Sequence, residues 1–172
     1  MKKILFFFTI SIIANSMQAQ DIEQKLKEKG IVLTIPSAPI ANYVNAVRVG
    51  NLLFLSGKGP TRADGTTVTG KVGEDISIEE GYQAARLTCI NHLSVLKAEL
   101  GNLNKVKRIV KVLGLVNCKS TFGDQPKVIN GYSDLMVEVF GDKGKHARSA
   151  IGSNALPGNM SVEVEVVVEI EP

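Results

Sequence analysis

A chain of 172 residues, 44% of them apolar, can bury the core of one ordinary domain and leaves little room for a second. Its formal net charge of +3 leans on Lys2 and Lys3. These precede an apolar run from Ile4 to Ala14 that stops at Asn15, too early for a membrane anchor, so residues 1–19 read as a secretory signal cleaved near Ala19. Without those two lysines the 20 Lys and Arg fall to 18, against 17 Asp and Glu. A nearly neutral mature protein with no basic cluster interleaved with aromatics gives no expectation of a nucleic-acid partner. An exported, periplasmic location follows, with no membrane association once the signal is removed.

After the signal, residues 20–42 form a lead-in. It opens on a short polar surface helix, Asp21 to Lys29, closed by Gly30. The main domain then spans residues 43–172. Tyr43 to Val49 and Leu52 to Ser56 are β-rich runs joined by Gly50-Asn51, the signature of a tight hairpin. Gly57 to Asp75 is glycine-rich loop with room for a brief edge strand at Thr66 to Thr69, and it lacks the Lys and Ser or Thr of a phosphate-cradling motif. Ser77 and Glu80 make a capping box. Behind them Tyr82, Ala85, Cys89, Leu93, Leu96 and Leu100 recur at helical steps until Gly101.

Ile109 to Val116 is a strand, and the basic run Lys105 to Lys111 reads as the wet face of that strand. A second helix begins near Asp124 and Pro126, places Val128, Leu135, Met136 and Val139 on one side, and ends at Gly141. Ala147 to Gly152 and Met160 to Ile170 are strands separated by the turn-rich Ser153 to Asn159. In the last strand Glu163 and Glu165 share one face, with Val162, Val164 and Val166 on the other. The order hairpin, helix, strand, helix, two strands predicts an α+β fold: a mixed sheet with both helices on one face. The second face then needs a cover, and self-association is the natural one.

Few residues are candidates for chemistry. Arg148, at the start of a strand, can grip a carboxylate by two parallel hydrogen bonds, although on residue type alone a surface Arg paired with a Glu is the commoner outcome. Glu163 and Glu165 can hold or deprotonate a water, yet alternating Glu on a strand is usually its solvated face. Tyr43 can cap a pocket or simply pack. His92 and His146 are each single and read as ordinary polar residues. Cys89 and Cys118 have no metal spacing; Cys89 falls on the helix's apolar stripe, so buried thiols are expected rather than a disulfide. No metal site and no cofactor site is expected.

The segment NYVNAVRVGNLLFLSGKGP, followed by HARSAIGSNALPGNMSVEVEVVVEI, closely resembles the YjgF/RidA family, also called endoribonuclease L-PSP. The likeness runs from about Tyr43 to Ile170. Its most specific part is Arg148, Leu156, Pro157, Glu163 and Glu165 at the family's spacing. The resemblance implies a chorismate-mutase-like fold in homotrimers, with sheets wrapped into a central barrel, helices outside and clefts between subunits. It also implies hydrolysis of small 2-imino or enamino acids to 2-oxo acids and ammonia, without metal or organic cofactor. Arg148 would then hold the substrate carboxylate and Glu163 the attacking water, with Tyr43, Ser56 and Gly57 lining the cleft. Two alternatives stay open: a periplasmic protein that binds small carboxylates without chemistry and, ranked lower, an endoribonuclease. Ala150 stands where the deaminases carry Cys, Lys58 where they carry Gln, and Ile129 where they carry Asn, which marks a divergent subgroup.

Overall fold

A computed structural model of the protein describes residues 21–39 and 41–172; the signal segment expected at 1–19 lies outside them. The helix α1 (Ile22–Glu28) starts at Asp21, whose carboxylate accepts from the Glu23 N–H. It is less superficial than its composition suggests. Leu26 is buried, Lys25 Nζ donates to the Val139 carbonyl, and Asn104 ties the start of the helix through Asp21 and the Ile22 N–H.

The hairpin β1 (Ala46–Val49) and β2 (Leu52–Lys58) turns at Gly50, which takes a positive φ of 58°. Tyr43 lies in the irregular segment before β1, not in the strand as its β-rich neighbours suggest. The loop to residue 75 forms isolated bridges, Thr61 with Thr67, Thr69 with Met160 and Val72 with Ile76 and Cys118, in place of an edge strand. Helix α2 (Ile78–Leu100) has the expected capping box, with Ser77 and Glu80 exchanging hydrogen bonds, and ends at Gly101 with φ 71°. Tyr82, expected on the apolar stripe, is partly exposed, and its hydroxyl donates to Asp134. Strand β3 (Val106–Asn117) is longer than its Val- and Leu-rich centre. Helix α3 (Gln125–Phe140) and strands β4 (Ala147–Ser153) and β5 (Val162–Ile170) complete the chain.

The five strands lie in the order β1-β2-β5-β3-β4, antiparallel except for the parallel pair β3 and β4. Strand β5 is central, so its alternation divides the molecule. Val162, Val164, Val166, Val168 and Ile170 are all 2% exposed or less and face α2 and α3. Glu163, Glu165 and Val167 face the other way. That second face has no covering element among the described residues, and it leaves Val47 and Phe54 at 53% and 43% exposure and Ile151 at 49%. Cys89 and Cys118 are both buried free thiols.

The two long helices meet at Gly131. A Cβ there would lie 2.0 Å from the Tyr82 carbonyl oxygen on the backbone of α2, so only glycine permits this crossing distance. Gly114 of β3 makes comparable room for Ile129 of α3. Gly131→Ala is expected to cost about 3 kcal/mol or more, because neither backbone can yield without moving a whole helix; a shift of the urea midpoint with unchanged slope measures it.

Candidate functional site

Arg148 sits on β4 opposite Val112 of β3, and Val112 is fully buried on the helix side. The Arg148 side chain turns to that same side, where Nη1 donates to Asn130 Oδ1 at 3.0 Å and to Ser133 Oγ at 2.9 Å. Ser133 in turn bonds His146 Nε2 at 3.0 Å, and His146 Nδ1 lies 2.6 Å from the Gly144 carbonyl. Because a carbonyl only accepts, Nδ1 carries the proton and Nε2 accepts from the Ser133 hydroxyl. Ser133 is then left to accept from Arg148. Burial lowers the His146 pKa, and the neighbouring Arg148 charge lowers it further, which keeps the ring in the neutral form this chain requires. Arg148 forms no ion pair among the described residues. The surface pairing with a Glu that residue type favours is thus not what the fold provides.

Glu163 lies opposite Leu115 of β3. Val112 and Leu115 are three residues apart on one strand and point to opposite faces, so within one protomer Arg148 and Glu163 occupy opposite faces of the sheet. Glu163 instead meets the Ser56-Gly57 step of β2. The pairing of β2 with β5 shifts register between Leu55 and Lys58, and a Cβ on Gly57 would come 2.3 Å from Glu163 Oε1. Gly57 is therefore the space into which the carboxylate fits. Burial raises the Glu163 pKa, and repulsion from Glu165 on the same face adds to the rise.

Ser56 is held from three sides. Its Oγ donates to the Val44 carbonyl at 2.6 Å, its N–H donates to the Asn45 carbonyl at 3.0 Å, and its own carbonyl receives His92 Nε2 at 3.1 Å. These bonds place the 43–45 segment, with Tyr43 49% exposed, beside Ser56 and Gly57. Four of the five predicted residues (Tyr43, Ser56, Gly57 and Glu163) thus gather around the β2 bulge, while Arg148 stands apart on the far edge strand.

His92, unremarkable in the sequence, is fully buried beneath this bulge. Its ring lies edge-on to Tyr132 with centroids 5.7 Å apart, and Tyr132 Oη is 2.9 Å from His92 Nδ1. Nε2–H bonds the Ser56 carbonyl, and because burial keeps the ring neutral, Nδ1 accepts from the Tyr132 hydroxyl. Burial, assisted by the Lys58 charge, lowers its pKa to about 4 against the hydrogen bond to Ser56. The signal was present: three residues after Cys89 and four before Leu96, His92 lies on the apolar stripe. Asn130 and Ser133 were missed because their role appears only once β4 is placed against α3. Ile129, at the position given to Asn in the family pattern, is buried, and Asn130 one residue on supplies the amide. Among the described residues no group of three or more His, Cys, Asp and Glu could hold a metal ion.

A single mixed sheet backed by two helices, with an arginine on one edge that forms no ion pair among the described residues and a half-buried glutamate over a strand bulge, defines a small α+β protein. A family model described as "YjgF/chorismate_mutase-like, putative endoribonuclease" matches residues 23–170, and the chain belongs to this YjgF/RidA family. It is 38% identical over 162 residues to Protein TCP17 of Trypanosoma cruzi, covering 94% of this chain and 99% of that one. It is 32% identical over 143 residues to a 2-iminobutanoate/2-iminopropanoate deaminase of Dermatophagoides farinae, covering 81% and 96%. The crystal structure of the protein Atu1372, of unknown function, from Agrobacterium tumefaciens superposes with a TM-score of 0.82 at 42% identity, covering 87% of this chain and 92% of that one.

A neutral His92 makes acid stability measurable. Its folded pKa of about 4 lies below the usual 6.5, so between those values the unfolded chain binds the extra proton. Stability is fully present above about pH 6.5 and is lost as pH falls toward 4, by about 1.4 kcal/mol per pH unit for this group. His146 contributes in the same direction from the same starting value. Denaturation at stepped pH is expected to show this slope, and His92→Gln to start less stable with a shallower slope; an equal slope in both proteins would refute the assignment.

Proposed function

We propose that this protein hydrolyses small 2-imino acids to 2-oxo acids and ammonia, at clefts between the subunits of a homotrimer in the periplasm. The observation that carries the reading is Arg148: its guanidinium is oriented by Asn130 and Ser133 through Nη1 alone, and no carboxylate among the described residues pairs with it. A cation held in place without a counter-charge suits a substrate carboxylate. The likeness to the mite deaminase supports the chemistry.

Since Arg148 and Glu163 face opposite ways in one chain, a site using both takes them from two copies. The exposed Val47, Phe54 and Ile151 on the uncovered face give those copies a reason to associate. In the reaction, water adds to the carbon of the protonated imine while Glu163 accepts one of its protons, which gives the carbinolamine. Glu163 then returns that proton to nitrogen, and ammonia leaves as the C–N bond breaks and the hydroxyl proton passes back to Glu163, leaving the 2-oxo acid. A carboxyl group with a raised pKa is suited to both transfers. An imine is already electrophilic, so orientation and proton transfer are the main demands.

The test is ammonia release from freshly generated 2-iminopropanoate. The wild type is expected to accelerate it, Arg148→Ala to lower kcat/KM about 100-fold, and Glu163→Gln to lower kcat with little change in KM. The acidic limb of the wild-type pH profile should lie above the ordinary glutamate range and vanish in Glu163→Gln. Equal rates with and without protein would remove the enzyme reading. The second reading, carboxylate binding without turnover, draws on the opposite placement of Arg148 and Glu163 in each chain. Retained 2-oxo acid binding with no rate effect would establish it. Sedimentation should give a trimer mass that Phe54→Glu reduces.

A further inference from the structure

A separate cavity of about 230 Å³ lies between lead-in residues 34–37, the loop after β2 and the middle of α2. Lys58 pairs with Val164, a residue buried on the helix side, so its side chain leaves β2 away from the face that bears Glu163. The cavity is thus distinct from the proposed imine site.

Its walls are fixed by hydrogen bonds that span three parts of the chain. Asn91 of α2 donates through Nδ2 to the Gly59 and Thr61 carbonyls at 2.9 and 3.0 Å, which clamps the loop to the helix. The Thr34 N–H donates to Ser94 Oγ at 3.3 Å, which lays the lead-in along the same helix. Lys58 Nζ donates to Asn45 Oδ1 at 2.6 Å, and Asn45 Nδ2 donates to the Ser37 carbonyl at 3.2 Å.

The charges within these walls are one-sided. Lys58 and Arg62 both line the cavity, no Asp or Glu does, and neither cation forms an ion pair among the described residues. The nearby acid Asp64 does not line the cavity; its carboxylate accepts from the Thr66 N–H and hydroxyl at 2.9 and 2.7 Å and also attracts Arg62, without an ion pair forming. Arg62 donates through Nη1 to the Thr66 hydroxyl at 3.3 Å, which orients the guanidinium while leaving its other donors available. Lys58 is partly buried, and burial lowers its pKa, the mark of an ammonium removed from water without a compensating charge. The hydroxyls of Thr34 and Thr61 supply neutral partners around the two cations, while Asn91 and Ser94, whose donors are committed to the Gly59, Thr61 and Ile90 carbonyls, shape the wall.

We infer that this cavity is a binding site for a small oxyanion, a carboxylate or a phosphate, gripped by Lys58 and Arg62 against the α2 surface. The ligand supplies the negative charge that the walls lack and bridges the lead-in segment to the sheet. Charge-assisted hydrogen bonds from two cations account for the affinity, and the hydroxyl-lined space limits the ligand to small molecules.

Calorimetric titration of the full mature protein at constant ionic strength in chloride tests this, with inorganic phosphate and succinate as separate probes. At least one is expected to bind saturably to the wild type and to Arg148→Ala, and to bind about tenfold or more weakly to Lys58→Met and to Arg62→Met. The tighter probe identifies the ligand chemistry. Lys58→Met removes a poorly solvated charge and should keep or raise the thermal midpoint; Arg62 is exposed, so its variant answers the question even if the first misfolds. Absence of saturable binding by both probes overturns the inference. So does unchanged affinity in the Lys58 and Arg62 variants, or loss of binding in Arg148→Ala alone, which would place the probe at the other site.

Discussion

Two helices cannot cover both sides of a five-stranded sheet, and the arrangement of this protein follows from which side they take. Strand β5 lies in the middle, so the alternation of its valines and glutamates decides the matter for the strands around it. The valines bury α2 and α3 against the sheet, and the glutamates are committed to the other face. Arg148, carried by an edge strand in register with a core valine, must emerge on the helix side. The separation of cation and acid is therefore a property of the pleat and cannot be undone by choosing other rotamers.

The two faces also treat charge differently. On the helix side, polar groups are drawn into directed chains: Tyr132 to His92 to the Ser56 carbonyl, and Arg148 to Ser133 to His146 to the Gly144 carbonyl. Both histidines are held neutral by burial, and each fixes the direction of its chain through the tautomer its carbonyl partner demands. Buried networks of this kind are stable only when complete. Through these chains Ser56 and Arg148 are each held in place without any contact between the two.

Periodicity made much of this legible. The apolar stripe of α2, its capping box, the Gly50-Asn51 turn and the strict alternation of β5 were all visible in the chain, because each depends on residues close in sequence. Arg148 and Glu163 were candidates by residue type, but only the family likeness set them above plain surface and added Ser56 and Gly57, since an arginine or an alternating glutamate is most often solvated. What could not be read were relations across the sheet. The partnership of Arg148 with Asn130 and Ser133 needs β4 beside β3 under α3. The shelter Gly57 gives Glu163 needs the register shift between β2 and β5. Tyr43 fell outside its expected strand for a related reason: Ser56 draws the preceding segment inward through Val44 and Asn45 before regular pairing begins at Ala46.

The lead-in is bonded to the domain at several points far apart in sequence. Asp21 and Ile22 are tied to Asn104, Lys25 to Val139, Thr34 to Ser94 and Ser37 to Asn45. Such a stretch behaves as a strap over the outside of the helices. Trimming it back to the first strand, as a designer of a minimal variant would be tempted to do, would uncover Leu26's seat and one side of the Lys58 hollow together. Fusion partners and purification handles belong at the other terminus, where Glu171 and Pro172 are exposed beyond the last strand.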